Sequence, residues 1–577
     1  MSKRIISLFW CLICAAVASR TKHSPISIAA RQANGAVAAS VFLRRAYHSS
    51  AVLNGWVYID GGEFSYSSGS GIVYQYSNTL LSIDLSKDWT NTSLALHSTS
   101  KPSGAPNLRD GGIWVDDKNQ ILYTGFAGTN PIFGNGASYA QGLWSFAPDG
   151  TGGATWQNLN STADGRFTNQ ARTYGGQVAS GGGSGFLLGG NSNINNNANF
   201  QGLPGGLVVY DYSSKKATSA TTTSSLPTTQ PGGQDGGILY VPSFGHHGIL
   251  VSMGGSSLGG QNGGPVGSSS SLTPFTSVRV YDPGNQKWYD QMTSGDAPKP
   301  RLQFCLAGVE SNNRTYELLV YGGWAGELGS AAVSYDEAFV LTLPGFRWIK
   351  ADYPARHPRY GLTCNAAGGG QVLTIGGVDP TQNMSASADA YEAVFGTPDP
   401  FVQGLAVFDL GSLAWKDAYV SKPAAYVSAP QIQKYYNANG RTPDGGFDST
   451  DLKTLFSVEN FGASNNSGRT RYSNTGAIAG GVVGGVAAVA AISALAIFFR
   501  RARSRRNARR TIEVPFPVSP RPQGLEQALK NEKPQSPQSP AAALPPPHVF
   551  ELAAPTESEA GGAHELSGAS RVRYELA

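Results

Sequence analysis

Apolar residues in this chain come in short runs rather than helical stripes. Between residues 45 and 425, segments such as VYID at 57–60, ELLVY at 317–321 and LAVFD at 405–409 are separated by Gly, Asn, Ser, Thr and Pro. Runs of this length, rich in β-branched and aromatic residues and bounded by turn formers, predict strands. They recur in a fixed order. Each unit opens at an Arg or Gln (Arg45, Arg109, Arg172, Gln234, Arg301, Arg359), followed by a first run, a turn and a second run ending in glycines. The pairs are Gly61–Gly62, Gly189–Gly190, Gly254–Gly255, Gly322–Gly323 and Gly376–Gly377, with a degenerate copy, YTGFAGT, at 123–129. After a long loop comes a third run: LLSIDL, GLWSF, GLVVYDY, VRVYD, AFVLTL or GLAVFDL. A tryptophan then opens a fourth run in five of the six units (Trp89, Trp156, Trp288, Trp348, Trp415); the third unit has Lys215 and Lys216 instead.

A sheet of four short strands cannot bury both its faces alone, and repetition about an axis solves this by packing each sheet on its neighbours. The doublets then supply backbone conformations and close approaches that a side chain would block. The tryptophans supply apolar area between sheets. The repeated arginines invite a reading as an anion ring; recurrence at a structural position favours packing or hydrogen bonding between sheets.

The stretches RRAYHSSAVLNGWVYIDGG, ILYVPSFGHHGILVSMGG, VRVYDPGNQKWYDQM, PRLQFCLAGVESNNRTYELLVYGGW and LTLPGFRWIKADYPARHPRYGLTC resemble kelch repeats, and the whole arrangement resembles fungal membrane-anchored kelch proteins. The resemblance covers about 45–425 and implies an all-β, kelch-type β-propeller of six four-stranded blades with a role in binding. These units are longer than the usual kelch repeat of about 50 residues. In such a meander the segments after the doublets, roughly 63–78, 129–141, 191–205, 256–277, 324–336 and 378–403, emerge on one face together with the inter-blade connections. Loops carry function more often than the scaffold does. Tyr66, Tyr74, Phe133, Phe200, Trp324 and Tyr391 lie in them and are candidates to stack on a sugar or a peptide. The alternative is that they tie the loops down. His246 and His247 fall in a hairpin on the opposite face.

The flanks carry different signals. Residues 1–18 have Lys3 and Arg4, an apolar run from Ile5 and small residues at Ala16 and Ala18, the pattern of a secretory signal peptide. A retained anchor is the alternative, for which the run is short. Residues 476–499 hold no charge and are long enough for a membrane helix, and seven arginines follow in RRARSRRNARR. These features predict a single-pass type I protein at the cell surface, with residues 426–475 as a stalk and 500–577 as a cytoplasmic, basic, proline-rich disordered tail. Gly476, Gly480 and Gly484 are spaced for helix pairing and a homodimer. The tail, with Ser519, Ser536 and Ser539 before prolines, would meet cytoplasmic partners. Asn91, Asn160, Asn313, Asn383 and Asn465 begin glycosylation triplets. Cys305 and Cys364 remain after the leader, as a disulfide or as two buried thiols.

Composition narrows function by exclusion. The net charge of +5 is concentrated at the two ends, so the middle has no nucleic-acid signature. No G-x-S-x-G, phosphate loop or metal-spaced His/Glu motif occurs. Galactose oxidase builds on similar blades but needs a copper site of two histidines and two tyrosines. His48, His97, His246, His247 and His357 make no such pairing by sequence. The sequence therefore predicts a non-catalytic recognition or adhesion protein for a protein or glycan ligand, with no cofactor and no metal. The alternatives are a galactose-oxidase-like enzyme and a structural scaffold of the cell wall or of polarity.

Overall fold

The computed structural model describes residues 36–133, 142–168, 172–190, 206–220, 233–256, 272–333, 335–382 and 390–462. Strands dominate them, in antiparallel sheets of four. In chain order the strands of the first sheet are Ser49–Leu53, Trp56–Asp60, Thr79–Asp84 and His97–Ser100; of the second, Trp114–Asp116, Ile121–Thr124, Trp144–Pro148 and Ala154–Asn158; of the third, Gln177–Gly181, Ser184–Leu188, Leu207–Asp211 and Lys216–Ala220. The fourth sheet has Gly237–Val241, Ile249–Met253, Ser277–Asp282 and Lys287–Met292; the fifth, Cys305–Glu310, Tyr316–Tyr321, Ala338–Leu343 and Arg347–Lys350, with the two residues Ser294–Gly295 added in parallel at its edge; the sixth, Thr363–Ala366, Gln371–Ile375, Leu405–Asp409 and Ala414–Lys416. Few helices accompany them, an arrangement consistent with the kelch β-propeller that the resemblance implies.

The sheets pack because their strands alternate. In Trp56–Asp60, Val57 and Ile59 face one neighbour and Tyr58 the other. Each seam thereby has its own apolar cluster: Tyr58 and Leu80 with Leu122 and Phe146 between sheets one and two, and so on round to Val57, Ile59 and Leu81 against Leu373, Ile375 and Val407 between six and one. First strands touch first strands in sequence, and the sixth touches the first.

The glycine doublets close this ring through the backbone. The second residue of each donates its N–H to the carbonyl at the entry to the next sheet: Gly62 to Leu108 at 2.7 Å, Gly128 to Thr173 at 2.8 Å, Gly190 to Gly233 at 3.2 Å, Gly255 to Arg301 at 3.0 Å, Gly323 to Arg359 at 2.8 Å and Gly377 to Arg45 at 2.7 Å. The approach leaves no room for a side chain. A Cβ on Gly376 would lie 2.3 Å from the Arg45 carbonyl oxygen, and φ there is +67°. The degenerate YTGFAGT makes the same link through Gly128.

These bonds also correct the arginine register. The equivalent positions are Arg45, Leu108, Thr173, Gly233, Arg301 and Arg359. Only three are arginines. Arg109 and Gln234 sit one residue later and Arg172 one earlier. Where the arginine is in register it is buried and works within its own unit: Arg301 donates to the Gly322 carbonyl at 3.0 Å and Arg359 to that of Gly376 at 2.8 Å.

Four other expectations need correction or completion. Trp89 does not open the fourth strand of the first sheet, which is His97–Ser100. It starts a two-residue strand that pairs with Ala418–Tyr419, its ring stacked on Tyr419 at 5.1 Å, and so joins the first unit to the end of the sixth. Residues 426–462 are no stalk. Pro430–Asn439 and Thr450–Ser457 are helices docked on the hairpin face of the fourth to sixth sheets, burying Ile432, Tyr435, Leu452, Leu455 and Phe456. Their apolar residues recur at helical spacing inside a segment rich in Gly, Asn and Ser, which masks them. Cys305 and Cys364 form a disulfide, Cα–Cα 5.3 Å, between the first strands of sheets five and six. Single-pass membrane localisation is not supported: among the described residues no helix is long and apolar enough to cross a membrane. The leader 1–18, the segment 476–499 and the tail 500–577 lie outside the described residues.

Candidate functional site on the loop face

The segment after the first doublet is not an irregular loop. Alternating EFSYSS and GIVYQY make a hairpin, Glu63–Ser68 with Gly71–Tyr76, and Phe42–Ala46 pairs with its outer edge. Alternation sends Tyr66 and Tyr74 to different company. Tyr66 stacks on Phe64 at 6.2 Å. Tyr74 meets Phe133 at 5.2 Å; Phe133 meets Tyr391 at 5.1 Å; Tyr391 stacks on Tyr47 at 5.9 Å; Tyr47 meets Tyr360 at 6.0 Å, and Tyr360 stacks on Trp324 at 4.8 Å. Of the six candidate aromatics, Tyr74, Phe133, Trp324 and Tyr391 thus share one cluster, distinct from the six seams. Tyr66 stands apart, and Phe200 lies outside the described residues.

A buried carboxylate gathers these loops. Glu63 has no exposed surface. Its Oε1 accepts the backbone N–H groups of Ile132 at 2.6 Å and Phe133 at 2.7 Å, its Oε2 accepts the Tyr391 hydroxyl, and Arg109 lies 3.9 Å away. The Arg109 guanidinium covers the Tyr47 ring at 4.2 Å and reaches Asp110 at 3.2 Å. Segments from sheets one, two and six are thereby fixed to one another. Apolar side chains remain exposed around them: Val41, Ile72, Ile132 and Val333.

Inside this cluster runs a second ring. Tyr47, Asp110, Gly175, Asp235, Gln303 and Gly361 each stand just ahead of a first strand, each with φ between +47° and +67°. Five of the six links around them are hydrogen bonds: Tyr47 N–H to Gly361, Gly361 to Gln303, Gln303 to Asp235, Asp235 to Gly175 and Asp110 to Tyr47, at 2.8 to 3.1 Å. This ring encircles the common axis of the sheets. Its carboxyls are held in low-dielectric surroundings. Burial pushes Asp110 up to about 6, with Arg109 opposing and Glu63 adding. Burial and then the Asp110 charge push Asp235 up to about 7. Tyr174 lies among Asp235, Asp110, Arg109 and Tyr360, and burial raises its hydroxyl too.

The sequence reading missed this inner set. The signal was present as the repeated D-G-G-I at 110–113 and 235–238, the two places where an acid replaces the Tyr, Gly or Gln of the other units.

Other features lie elsewhere. A cleft of about 310 Å³ sits at the seam of the sixth and first units, lined by residues 39–43, Ser67 and 398–403. His246 and His247 occupy a hairpin of the opposite face, where Gly245 also takes up the Val458 carbonyl of the docked C-terminal segment. Among the triplet asparagines, Asn160 accepts the Leu143 N–H at 2.9 Å and Asn313 accepts Ser428 at 3.0 Å, while Asn91 lies in the turn after Trp89. Asn383 and Asn465 lie outside the described residues. Among the described residues no three of His, Cys, Asp and Glu come together as a metal site.

No family model matches the chain. A Kelch repeat-containing protein of Arthroderma benhamiae is 23% identical over 416 residues, which cover 66% of this chain and 57% of that relative. The chain thus spans less than two thirds of the relative's length. That similarity and the repeated four-stranded meanders together support the reading of this chain as a kelch-repeat protein.

Proposed function

We propose that the chain is a six-bladed propeller that recognises a protein or glycan ligand on its loop face and performs no chemistry on it. Similarity to a kelch-repeat protein suggests protein–protein interaction in general. The observation that carries the reading further is the Glu63 knot: one buried carboxylate holds segments of three units in place beneath exposed Val41, Ile72 and Ile132. Ordering loops before binding removes an entropy cost from association. The chain's own helices occupy the opposite face of sheets four to six, which favours the loop face for a ligand.

The oxidase alternative is less well served by the side chains present. His48 is buried beside Arg45 and hydrogen-bonded to Thr363 Oγ1 at 2.9 Å; His97 packs on Trp56 and His357 on Phe401. The two readings separate in one experiment. The whole chain is presented to glycan and protein arrays, and assayed for copper content and peroxide release with alcohols and sugars. Recognition lost in Ile72→Asp and Ile132→Asp is the expected result. Stoichiometric copper with turnover overturns it.

A further inference from the structure

The inner ring on the loop face presents acceptors in excess of donors. Glu63, Asp110 and Asp235 face a single cation, Arg109, and that guanidinium is already committed to Glu63 and Asp110. Asp235 accepts the Gln303 amide at a long 3.4 Å, with the Gln234 amide beside it and no cation in direct contact among the described residues. The Gln303 Oε1 is buried with no hydrogen-bond partner. Gln234, 1% exposed, has its amide beside the Asp235 carboxylate, and its Oε1 is buried with no hydrogen-bond partner. Both residues lean over the ring: a methyl on Gly175 would stand 2.6 Å from the Gln234 Cγ and 2.8 Å from the Asp235 Oδ1. Buried polar groups in native proteins find partners, so this set is built for something that donates. Solvent still reaches it, since the Asp110 side chain keeps 12% of its surface and Asp235 keeps 9%.

We propose that the axial mouth of the loop face binds an alkylammonium group, as a free polyamine or as a lysine side chain of a partner, held by Asp110, Asp235 and the Gln303 carbonyl oxygen. An ammonium brings three N–H donors and one positive charge, which match the three acceptors once both carboxyls are ionised, so binding strengthens as pH rises through about 7. Asp235 and Gln303 come from adjacent units and Asp110 from the far side of Gly175, so the acceptors line one arc of the ring, close enough for the Asp110 charge to act on Asp235. The Tyr174 and Tyr360 hydroxyls stand next to the same carboxyls and complete a polar collar. A divalent cation is the poorer fit, because two carboxylates with no third acidic, His or Cys ligand make a thin shell for it. The proposal rests on the loop face being the recognition surface and names the chemistry recognised at its centre.

Calorimetric titration of the whole chain tests it, with spermidine, with a short peptide carrying one lysine, with the same peptide acetylated on that lysine, and with calcium. Spermidine or the lysine peptide is expected to bind and the acetylated peptide and calcium not to. Asp235→Asn should weaken binding about tenfold or more, the loss expected for one charged hydrogen bond. Gln303→Leu, which leaves both carboxyls in place, should weaken it by a smaller factor and keeps the test alive if Asp235→Asn does not fold. Binding by the peptide alone, or by spermidine alone, identifies the source of the ammonium. Failure of both ammonium probes, affinity unchanged in both variants, or calcium binding that Asp235→Asn abolishes each overturns the assignment. The two readings fail separately: array recognition that is lost in Ile72→Asp and Ile132→Asp, with no binding of either ammonium probe, overturns this assignment and leaves the broader reading standing.

Discussion

The six units divide into two groups that solve the same packing problem differently. Units five, six and one carry a buried arginine at the entry to the first strand, and the disulfide joins two of them. Units two, three and four carry Leu108, Thr173 and Gly233 there. In units five and six the guanidinium is a tie: Arg359 holds the Gly376 carbonyl and both oxygens of Asp399, at 3.1 and 3.3 Å, while Arg44 reaches the same carboxylate at 3.6 Å. In unit one Arg45 lies over the Phe64 ring at 5.3 Å instead. In the second group the polar residues have moved one step along the chain. Arg109 and Gln234, with Asp110 and Asp235 beside them, face the axis instead. A residue that keeps the repeat is scaffold; one that breaks it marks a place where the fold does something else.

The largest expected effect tests that division directly. Arg359→Ala removes a fully buried cation and leaves Asp399, whose side chain is 1% exposed, with Arg44 at 3.6 Å as its remaining cation. Loss of one partner from a buried pair costs about 3–5 kcal/mol. Leu108→Ala, at the same structural position in the second unit, removes apolar volume only and is expected to cost less, about 2–4 kcal/mol for a buried leucine that leaves a partly collapsible cavity. Denaturant unfolding of the two variants measures the gap. Equal losses, with no excess in Arg359→Ala, would mean that the arginine is filling space and that the two groups differ in composition alone.

Legibility in the sequence follows the same line. The doublets could be read because a close backbone approach repeated round a ring demands the same residue each time. The arginines could be read as recurrent but not in register, since Arg109 and Gln234 stand one position from where Arg45 and Arg359 stand and a 58-to-67-residue spacing does not resolve one step. Tyr74, Phe133, Trp324 and Tyr391 were visible as loop aromatics, but their mutual contact depends on Glu63, whose part is set by tertiary structure. Asp110 and Asp235 were invisible to a search for repetition. The helices after residue 429 were hidden because each offers only two or three apolar residues to the sheets.

A middle-sized effect sharpens the contrast between a buried acid of the scaffold and one of the site. Glu317, in the second strand of sheet five, has no exposed surface, and burial pushes its carboxyl up to about 7 against the hydrogen bonds of Thr315 and Thr342. Tyr316, Tyr426 and Tyr436 surround it, the last two from the docked C-terminal segment. The folded state therefore holds this proton more tightly than the unfolded chain does. Its contribution is full below pH 4.5 and is lost as pH rises through about 7, a change of roughly 3 kcal/mol for a shift of this size. Glu317→Gln should flatten that part of the stability–pH curve and leave ammonium binding unchanged. Asp235→Asn should flatten a similar window while weakening the binding. Stability curves that fall in parallel for wild type and Glu317→Gln between pH 4.5 and 8 would show that the carboxyl ionises without cost.

The smallest effect bears on the face opposite the site. The helix Thr450–Ser457 starts at Ser449, whose side chain accepts the Leu452 N–H at 3.1 Å, and it packs Phe456 on Phe244 of sheet four at 4.7 Å and on Phe346 of sheet five at 5.1 Å. Eight residues are too few for a helix to persist alone, so this one exists because it is docked. Ser449→Ala removes one cap and should cost about 1 kcal/mol. If the segment is part of the cooperative fold, that loss appears in global unfolding, and amide exchange of Leu452 to Phe456 stays as slow as that of the strands beneath. If the segment opens on its own, global stability is untouched and only those amides exchange faster. The first outcome makes the hairpin face of sheets four and five a closed surface and leaves recognition to the loops; the second would expose Phe244 and Phe346 as a second apolar face and remove the asymmetry on which the choice of face depends.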